Sequence, residues 1–466
     1  MRSTTKSATS IHKVRRDARG GKHGDGWRTR FKRIRRADPT RIHAGRPDAT
    51  LTGVAGLASF GVYCRERGID AELERLFYRL KDGPLVVYPM EAQLRLLLDA
   101  NVAGEARVFG LESLAPDPLF VRLAGGVVPS LDTVYRDMRR FDEGALRDLE
   151  ALMATQGFAS VKQLHADGVH LDIDTTVECT FGSQQGALPG PNHRYHGRPS
   201  YHPILVYCAE AGVCVGALLR PGDTGLGEDD VPTTKGWIRR FRATIGTKVQ
   251  VTVRIDAGGD CGALLGGFHD EGARFIAKAK LDFALAEAIR CTKKWRTVDR
   301  DAFDRPTRQV AEIDFARKNW SDRGYRFRII AVRSLEHDTG KQVHLWTELD
   351  YTVQAYITND MLGDANDIAF EYNGRAEVEP AIAELKNGWG IGKIPSDIFA
   401  ANHALFLLKL LAHNLMRRFV RWAAPNLASW RVSWLRRALI NIPGRLIRSG
   451  RCWSLRVPPH SRVRLE

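Results

Sequence analysis

Apolar residues along the chain change their spacing at about Val169, and that change divides the fold. From Leu51 to about Gly157 they recur at helical intervals. GVAGLASFGVYCRERG, AELERLFYRL and MEAQLRLLLDA each predict a helix with one apolar face. PSLDTVYRDMRRF predicts a further helix capped by Ser130, with Arg136, Arg139 and Arg140 along it. Beyond Val169 the period becomes that of strands. GVHLDIDTTV, HPILVYC, CVGALLR, KVQVTVRID and ARFIAKA predict five short strands. The helices DDVPTTKGWIRRFRATIG and DCGALLGGFHDEG fall between the third and fourth, and between the fourth and fifth. Strands alternating with helices predict an α/β layer built on a mixed sheet. From Asp282 to about Tyr356, RFRIIAVRS and QVHLWTELDYTVQAYIT alternate without helical patterning, which predicts a β-rich insertion. Ser396 to Trp422, with Pro395 before it and Pro425 after it, predicts a long helix, and an arginine-rich tail follows.

Charge changes this picture at both ends. The chain carries a formal net charge of +16, and a basic balance of that size points to a polyanionic partner. Met1 to Asp48 holds 15 Lys/Arg against 4 Asp/Glu with almost no apolar period, and reads as disordered when alone. From Arg417 onward there are 12 arginines and one acid, Glu466. The chain therefore divides into a basic arm (1–48), a helical domain (49–160), an α/β domain (161–425, with the insertion at about 282–356) and a basic C-terminal region (426–466). The arginine-bearing helix after Ser130 is either a DNA-reading element or a solvated surface helix. Seven scattered cysteines without a C-x-x-C pair fit reduced thiols in the cytoplasm, with neither a disulfide frame nor a zinc site. The polar N-terminus does not read as a signal peptide. The most apolar segment, Ala404 to Met416, carries Lys409 and His413 and is too short to span a membrane.

Candidate chemistry concentrates in EYNGRAEVEPAIAELK, Glu371 to Lys386. On a continuous α-helix, Tyr372, Arg375, Glu379 and Lys386 return to one stripe. A carboxylate flanked by arginine, lysine and tyrosine suits handling phosphate beside a metal ion. Pro380 cannot donate to the carbonyl of Ala376, so it either kinks this helix or marks its start near Val378. Two acidic segments stand upstream, LDIDTT and VRIDAGGD. Asp172 and Asp174 are two apart on one strand face, so either can be a ligand. Asp256 falls at the end of the fourth strand. Phosphodiester cleavage by two divalent ions needs such acids brought together from separate elements, and Mg²⁺, with Mn²⁺ as substitute, suits carboxylate oxygens. The loop Gly182 to Pro203, with His193, Arg194, His196 and Arg198, is basic and follows the first of these strands. The H-R-Y-H spacing alone does not build a zinc site.

With these residues in view, the chain resembles the DDE transposases of bacterial insertion sequences that carry the Y-x2-R-x3-E-x6-K signature, and more narrowly the group 1 DDE transposase domain. LTGVAGLASFGVY, LDIDTT, GRPSYHPILVY, RIDAGGD and EYNGRAEVEPAIAELK carry the resemblance, from about Leu51 onward. It implies an RNase H-like fold with a β-rich insertion after an α-helical N-terminal domain. Asp174, chosen over Asp172 by the residues that follow it, Asp256 and Glu379 are the implied catalytic and metal-binding set. Tyr372, Arg375 and Lys386 are implied to hold DNA phosphates. Arg198, Arg136, Arg139 and Arg140 are further candidate DNA contacts. The implied reaction is metal-dependent endonuclease cleavage at transposon ends followed by 3′-OH strand transfer into target DNA, by a homodimer on paired ends in the bacterial cytoplasm, at the nucleoid. In some relatives an insertion tryptophan stacks on a flipped base, for which Trp295, Trp320 and Trp346 are candidates. A silent transposon-derived DNA-binding protein and a nuclease that cuts without joining are the alternatives.

Overall fold

A computed structural model of the protein describes residues 39–43, 45–190, 196–335 and 351–462. Met1–Asp48 and Ala49–Glu466 form separate units. Most of the basic arm, together with His193, Arg194 and Trp346, lies outside the described residues.

In the larger unit, β1 (Leu51–Thr52) precedes a run of helices ending in Glu143–Lys162. The chain then enters β2 (Gly168–Thr175), followed by the short strands β3 (Glu178–Cys179), β4 (Leu188–Pro189) and β5 (Pro199–Tyr201). Next come β6 (Ile204–Cys208), β7 (Val213–Leu218), β8 (Gln250–Ile255) and β9 (Arg274–Lys278). The insertion supplies β10 (Arg296–Arg300), β11 (Pro306–Ile313), β12 (Arg328–Leu335) and β13 (Tyr351–Thr358). β14 (Gly444–Ser449) and β15 (Cys452–Arg456) pair as a hairpin, followed by the short helix Pro459–Arg462. The main sheet has nine strands in the order β10-β11-β12-β13-β9-β8-β2-β6-β7. The β2–β8 and β8–β9 pairs are parallel and the others antiparallel.

Each of the five strands read from the alternation is present. The alternation also explains how β2 serves the site. Val169, Leu171 and Ile173 enter one apolar core beneath the helices Glu143–Lys162, Val231–Ile245 and Gly262–Asp270. His170, Asp172 and Asp174 necessarily share the opposite face. On that face Leu205, Tyr207 and Ala217 pack under helix Phe399–Ala423, while Ile330, Val332 and Tyr356 pack under helix Ala365–Asn373. The polar residues of β2 lie between these two apolar patches.

Three expectations change. The insertion, read as lacking helical patterning, contains helices Phe283–Cys291 and Lys318–Ser321, and its strands extend the main sheet because β13 pairs with β9. The helix capped by Ser130 ends at Met138, which leaves Arg139 as its C-cap and Arg140 outside it. The C-terminal segment is folded. Val432, Leu435, Leu439 and Ile440 join the same core as the N-terminal helices, and β14 pairs with β1. Arginine density hid this, because Arg436 is itself buried. It donates hydrogen bonds to the carbonyls of Asn101, Val102 and Gly388, with its guanidinium over the Trp389 ring.

Helix Phe399–Ala423 is buried on nearly every side, including Lys409. Burial pulls the Lys409 ammonium down to about 7, and it donates to the carbonyls of Gly390 and Lys393. The long helix is thereby tied to the loop that follows the signature segment. Among the described residues, no helix is long and apolar enough to cross a membrane.

Candidate active site

β2 and β8 run parallel with Asp172 beside Arg254 and Ile173 beside Ile255. Asp174, the next residue on β2, and Asp256, which directly follows the last residue of β8, therefore stand at the same end of these two strands. Asp256 turns out of β8 and accepts from the Gly258 amide at 2.9 Å. Burial pushes the Asp174 carboxyl up to about 6; Arg375 pulls it down, while the charge of Asp256 pushes it further up. Two carboxylates that feel each other at one sheet edge form a cation-attracting pair.

Asp172 has a different task. Its carboxylate is fully buried and takes both prongs of Arg254, Nε at 2.7 Å and Nη2 at 2.8 Å. Arg254 uses Nη1 to hold the Glu371 carbonyl at 2.9 Å. Above it on β2, His170 meets Glu210 at 2.5 Å through Nδ1 and Glu371 at 2.8 Å through Nε2. Arg274 donates to both oxygens of Glu371, at 2.6 and 2.7 Å. The Glu210 and Glu371 contacts raise His170 to about 9, against its burial. Desolvation works against the charge of Glu371, yet His170 and Arg274 hold its carboxyl down at about 2. This ladder of charges fixes helix Ala365–Asn373 to the sheet. Sequence reasoning missed Arg254, His170, Arg274, Glu210 and Glu371 as positioning residues. The H-x-D-x-D alternation on β2 was the available signal.

The signature segment is not one helix, so its four residues do not share one stripe. Helix Ala365–Asn373 gives way to a 3-10 turn at Gly374–Glu377, and a new helix spans Val378–Gly388. Pro380 stands in the first turn of that new helix, where a missing amide proton costs nothing. Gly374 at the break admits Arg254: a Cβ there would lie 2.7 Å from Arg254 Nη1. The Tyr372 ring is buried against Tyr356, with centroids 4.9 Å apart, and burial raises the pKa of its hydroxyl. Arg375 leaves the 3-10 turn to donate to Asp174 Oδ1 at 2.8 Å. Its Nε is buried with no hydrogen-bond partner. Lys386 Nζ donates to the Val177 carbonyl at 3.2 Å and pairs with Glu178 at 3.2 Å, just past the end of β2. The segment is therefore clamped across the aspartate edge at Arg375 and at Lys386. Glu379, between these clamps, is exposed in the first turn of helix Val378–Gly388. Among the described residues, no three His, Cys, Asp or Glu side chains gather closely enough to hold a metal ion. The structure thus brings Asp174 and Asp256 together and leaves Glu379 outside them.

The other candidates lie in several places. Arg198 stacks its guanidinium over the exposed Phe181 ring at 4.9 Å. Arg136 is exposed, Arg139 pairs with Asp397 at 2.8 Å, and Arg140 pairs with Asp137 at 3.3 Å. Trp320 is buried in the core, while Trp295 is partly buried under Arg333 at 4.3 Å.

Paired hard carboxylates at the ends of adjacent parallel strands suit a divalent cation, and the Arg375 guanidinium already sits at Asp174 as a cation. The site lies on a mixed sheet, with helix Val378–Gly388 clamped across the end of β2 by Lys386. The model of the family described as transposase DDE domain group 1 matches residues 39–464, and the chain belongs to that family. No curated protein matches it. Among solved structures, the cryo-EM structure of the piggyBac transposase synaptic complex with hairpin DNA is similar at 12% identity, over 82% of this chain and 81% of that one, with a TM-score of 0.38.

Proposed function

We propose that the protein is a cut-and-paste DNA transposase with an RNase H-like core, which cleaves double-stranded DNA at transposon ends and joins the freed 3′-OH to target DNA. The observation that carries this reading is the placing of Asp174 and Asp256 at the same end of the parallel strands β2 and β8, close enough for their charges to interact, under the clamped signature segment, in a chain of this family. Asp174 and Asp256 would hold Mg²⁺, or Mn²⁺ in its place, and Glu379, which stands apart from the pair in this structure, would join them as the third ligand only when helix Val378–Gly388 closes on the bound ion and DNA. Such an ion supplies charge stabilisation to the attacking and leaving oxygens.

The chain's own residues set the stage. Asp172 and Arg254 hold the two strand ends in register, and Arg375 balances the charge of Asp174. Arg375 and Lys386 are each engaged with a carboxylate, and Arg375 keeps its Nε without a partner, so it can take a phosphate oxygen while still holding Asp174. Tyr372, its ring buried against Tyr356, lies near enough to Arg375 and Asp256 for their charges to act on its hydroxyl. Arg136, Arg139, Arg140 and Arg198 provide outlying phosphate contacts, and binding weakens steeply with salt. The enzyme acts as a homodimer on paired ends at the bacterial nucleoid.

The test is a joining assay. Pre-cleaved ends carrying a 3′-OH are incubated with supercoiled target DNA and Mg²⁺ or Mn²⁺. Covalently joined products support the transposase; cleavage of intact ends with no joining from pre-cleaved ends points instead to a nuclease.

A further inference from the structure

Past the long helix, the chain displays tryptophan in an unusual way. Trp434 is 64% exposed and Trp430 38%. Their rings meet edge to face, with centroids 5.9 Å apart. Large aromatic side chains are mostly buried, and an exposed pair is a mark of a binding surface. Arg431 and Arg437 are exposed beside them. No acid occurs from Arg417 until Glu466, so the charge of this segment is of one sign.

The cluster is rigidly mounted. In the short helix Val432–Leu435 both terminal residues are buried, which turns Arg431 and Trp434 outward. Its first amide, Val432 N–H, donates to Glu384 Oε1 at 2.7 Å, and Arg417 binds the same carboxylate at 3.2 Å. A Cβ on Gly388 would lie 2.4 Å from Val432 Cγ1, so the Val432 side chain sits directly on the Gly388 backbone. Glu384 stands on helix Val378–Gly388, five residues and about 7.5 Å along from Glu379. The cluster is thus attached to the element that carries the third candidate carboxylate.

We infer that Trp430, Arg431, Trp434 and Arg437 form a second DNA-contacting surface that takes a single-stranded segment, with bases stacking on the indoles and phosphates meeting the arginines. The inference rests on the transposase reading and names a partner conformation for it. Indoles stack on bases of any identity, but only where the base faces are unpaired and open. A second copy of this chain is a poorer occupant, because a self-complementary contact would bring arginine-rich, acid-free surfaces together.

The test uses full-length protein and labelled duplexes, blunt or carrying a single-stranded extension of about 10 nucleotides. Fluorescence anisotropy compares wild type with W430A/W434A and R431A/R437A, with melting temperature as the check on folding. Wild type is expected to prefer the extended duplex. W430A/W434A is expected to lose about tenfold in affinity for it and to change less than twofold for the blunt one. R431A/R437A should weaken both and flatten the salt dependence. Equal binding of the two duplexes by wild type overturns the inference, as does an unchanged preference in W430A/W434A. Conversion of a dimer to a monomer with DNA affinity unaltered also overturns it, in favour of a self-association surface. Cleavage of blunt ends, followed in parallel, separates this failure from failure of the transposase reading: wild-type cleavage without any preference for the extension sinks the single-strand surface alone.

Discussion

Asp172→Asn and Asp174→Asn, two residues apart on one strand face, are predicted to fail in opposite ways. Asp172 is fully buried and holds both prongs of Arg254, which is 3% exposed. Burial pushes the Asp172 carboxyl above its usual range, against the pull of Arg254. Arginine cannot shed its charge, so the asparagine variant leaves a guanidinium buried without a counter-ion and sets an amide NH₂ against N–H donors. Breaking a buried pair from one side costs about 3–5 kcal/mol. At an unfolding entropy of about 2 cal/mol/K per residue, a cooperative unit the size of Ala49–Glu466 loses about 1 °C per kcal/mol. Differential scanning calorimetry at neutral pH should therefore show Asp172→Asn melting about 3–5 °C below wild type. Asp174→Asn should shift less, because burial already works against its charge and holds its carboxyl near 6. An Asp172→Asn protein that melts within about 1 °C of wild type, or below which Asp174→Asn melts, would refute the assignment of Asp172 to structure.

Three further outcomes follow from the same geometry. Arg375→Ala removes the cation that occupies Asp174, so Mn²⁺ binding measured by isothermal calorimetry should tighten by about fivefold, equivalent to about 1 kcal/mol; weaker binding would show that Arg375 helps assemble the site. The His170 clamp depends on pH. A histidine raised to about 9 stabilises fully below its unfolded pKa near 6.5 and loses that contribution as pH climbs toward 9, whereas Glu371, held at about 2, keeps its contribution down to acid pH. Melting curves from pH 6 to 9.5 should thus fall more steeply for wild type than for His170→Gln, with Glu210, Arg274 and Arg254 unchanged around it; parallel curves would remove His170 from the clamp. Substituting Glu178 with Gln leaves Lys386 without its carboxylate, and the expected loss is about 1 kcal/mol in urea unfolding, with a value near zero contradicting the anchoring role.

Local patterning made much of this fold legible. The two-residue alternation of β2 and the apolar runs of β6 to β9 are properties of the chain itself, and the Ser130 cap is present, accepting from the Thr133 amide at 3.3 Å. Both aspartates were readable at strand ends for the same reason. What could not be read depends on contacts distant in sequence. Asp172 and Asp174 are equivalent by periodicity, and only the pairing with Arg254, 82 residues away, separates them. The helical stripe failed because a 3-10 turn at Gly374–Glu377 interrupts it and a new helix begins at Val378, which puts Pro380 in a first turn. The C-terminal hairpin escaped notice because its strands are arginine-rich and largely exposed, and the outer partner of β14, β1, lies nearly 400 residues upstream in the chain.

The central claim is that Asp174, Asp256 and Glu379 act together on a phosphodiester bond. It is tested most directly with labelled DNA bearing the element's own ends, incubated with Mg²⁺ or Mn²⁺ and wild-type, Asp174→Asn, Asp256→Asn or Glu379→Gln protein, while DNA binding is followed in parallel. The account predicts end-specific cuts by wild type, none by any variant, and DNA affinity within about twofold throughout, because each change is isosteric. Tight binding by wild type without a cut under either metal, or cleavage retained in Glu379→Gln, would contradict it.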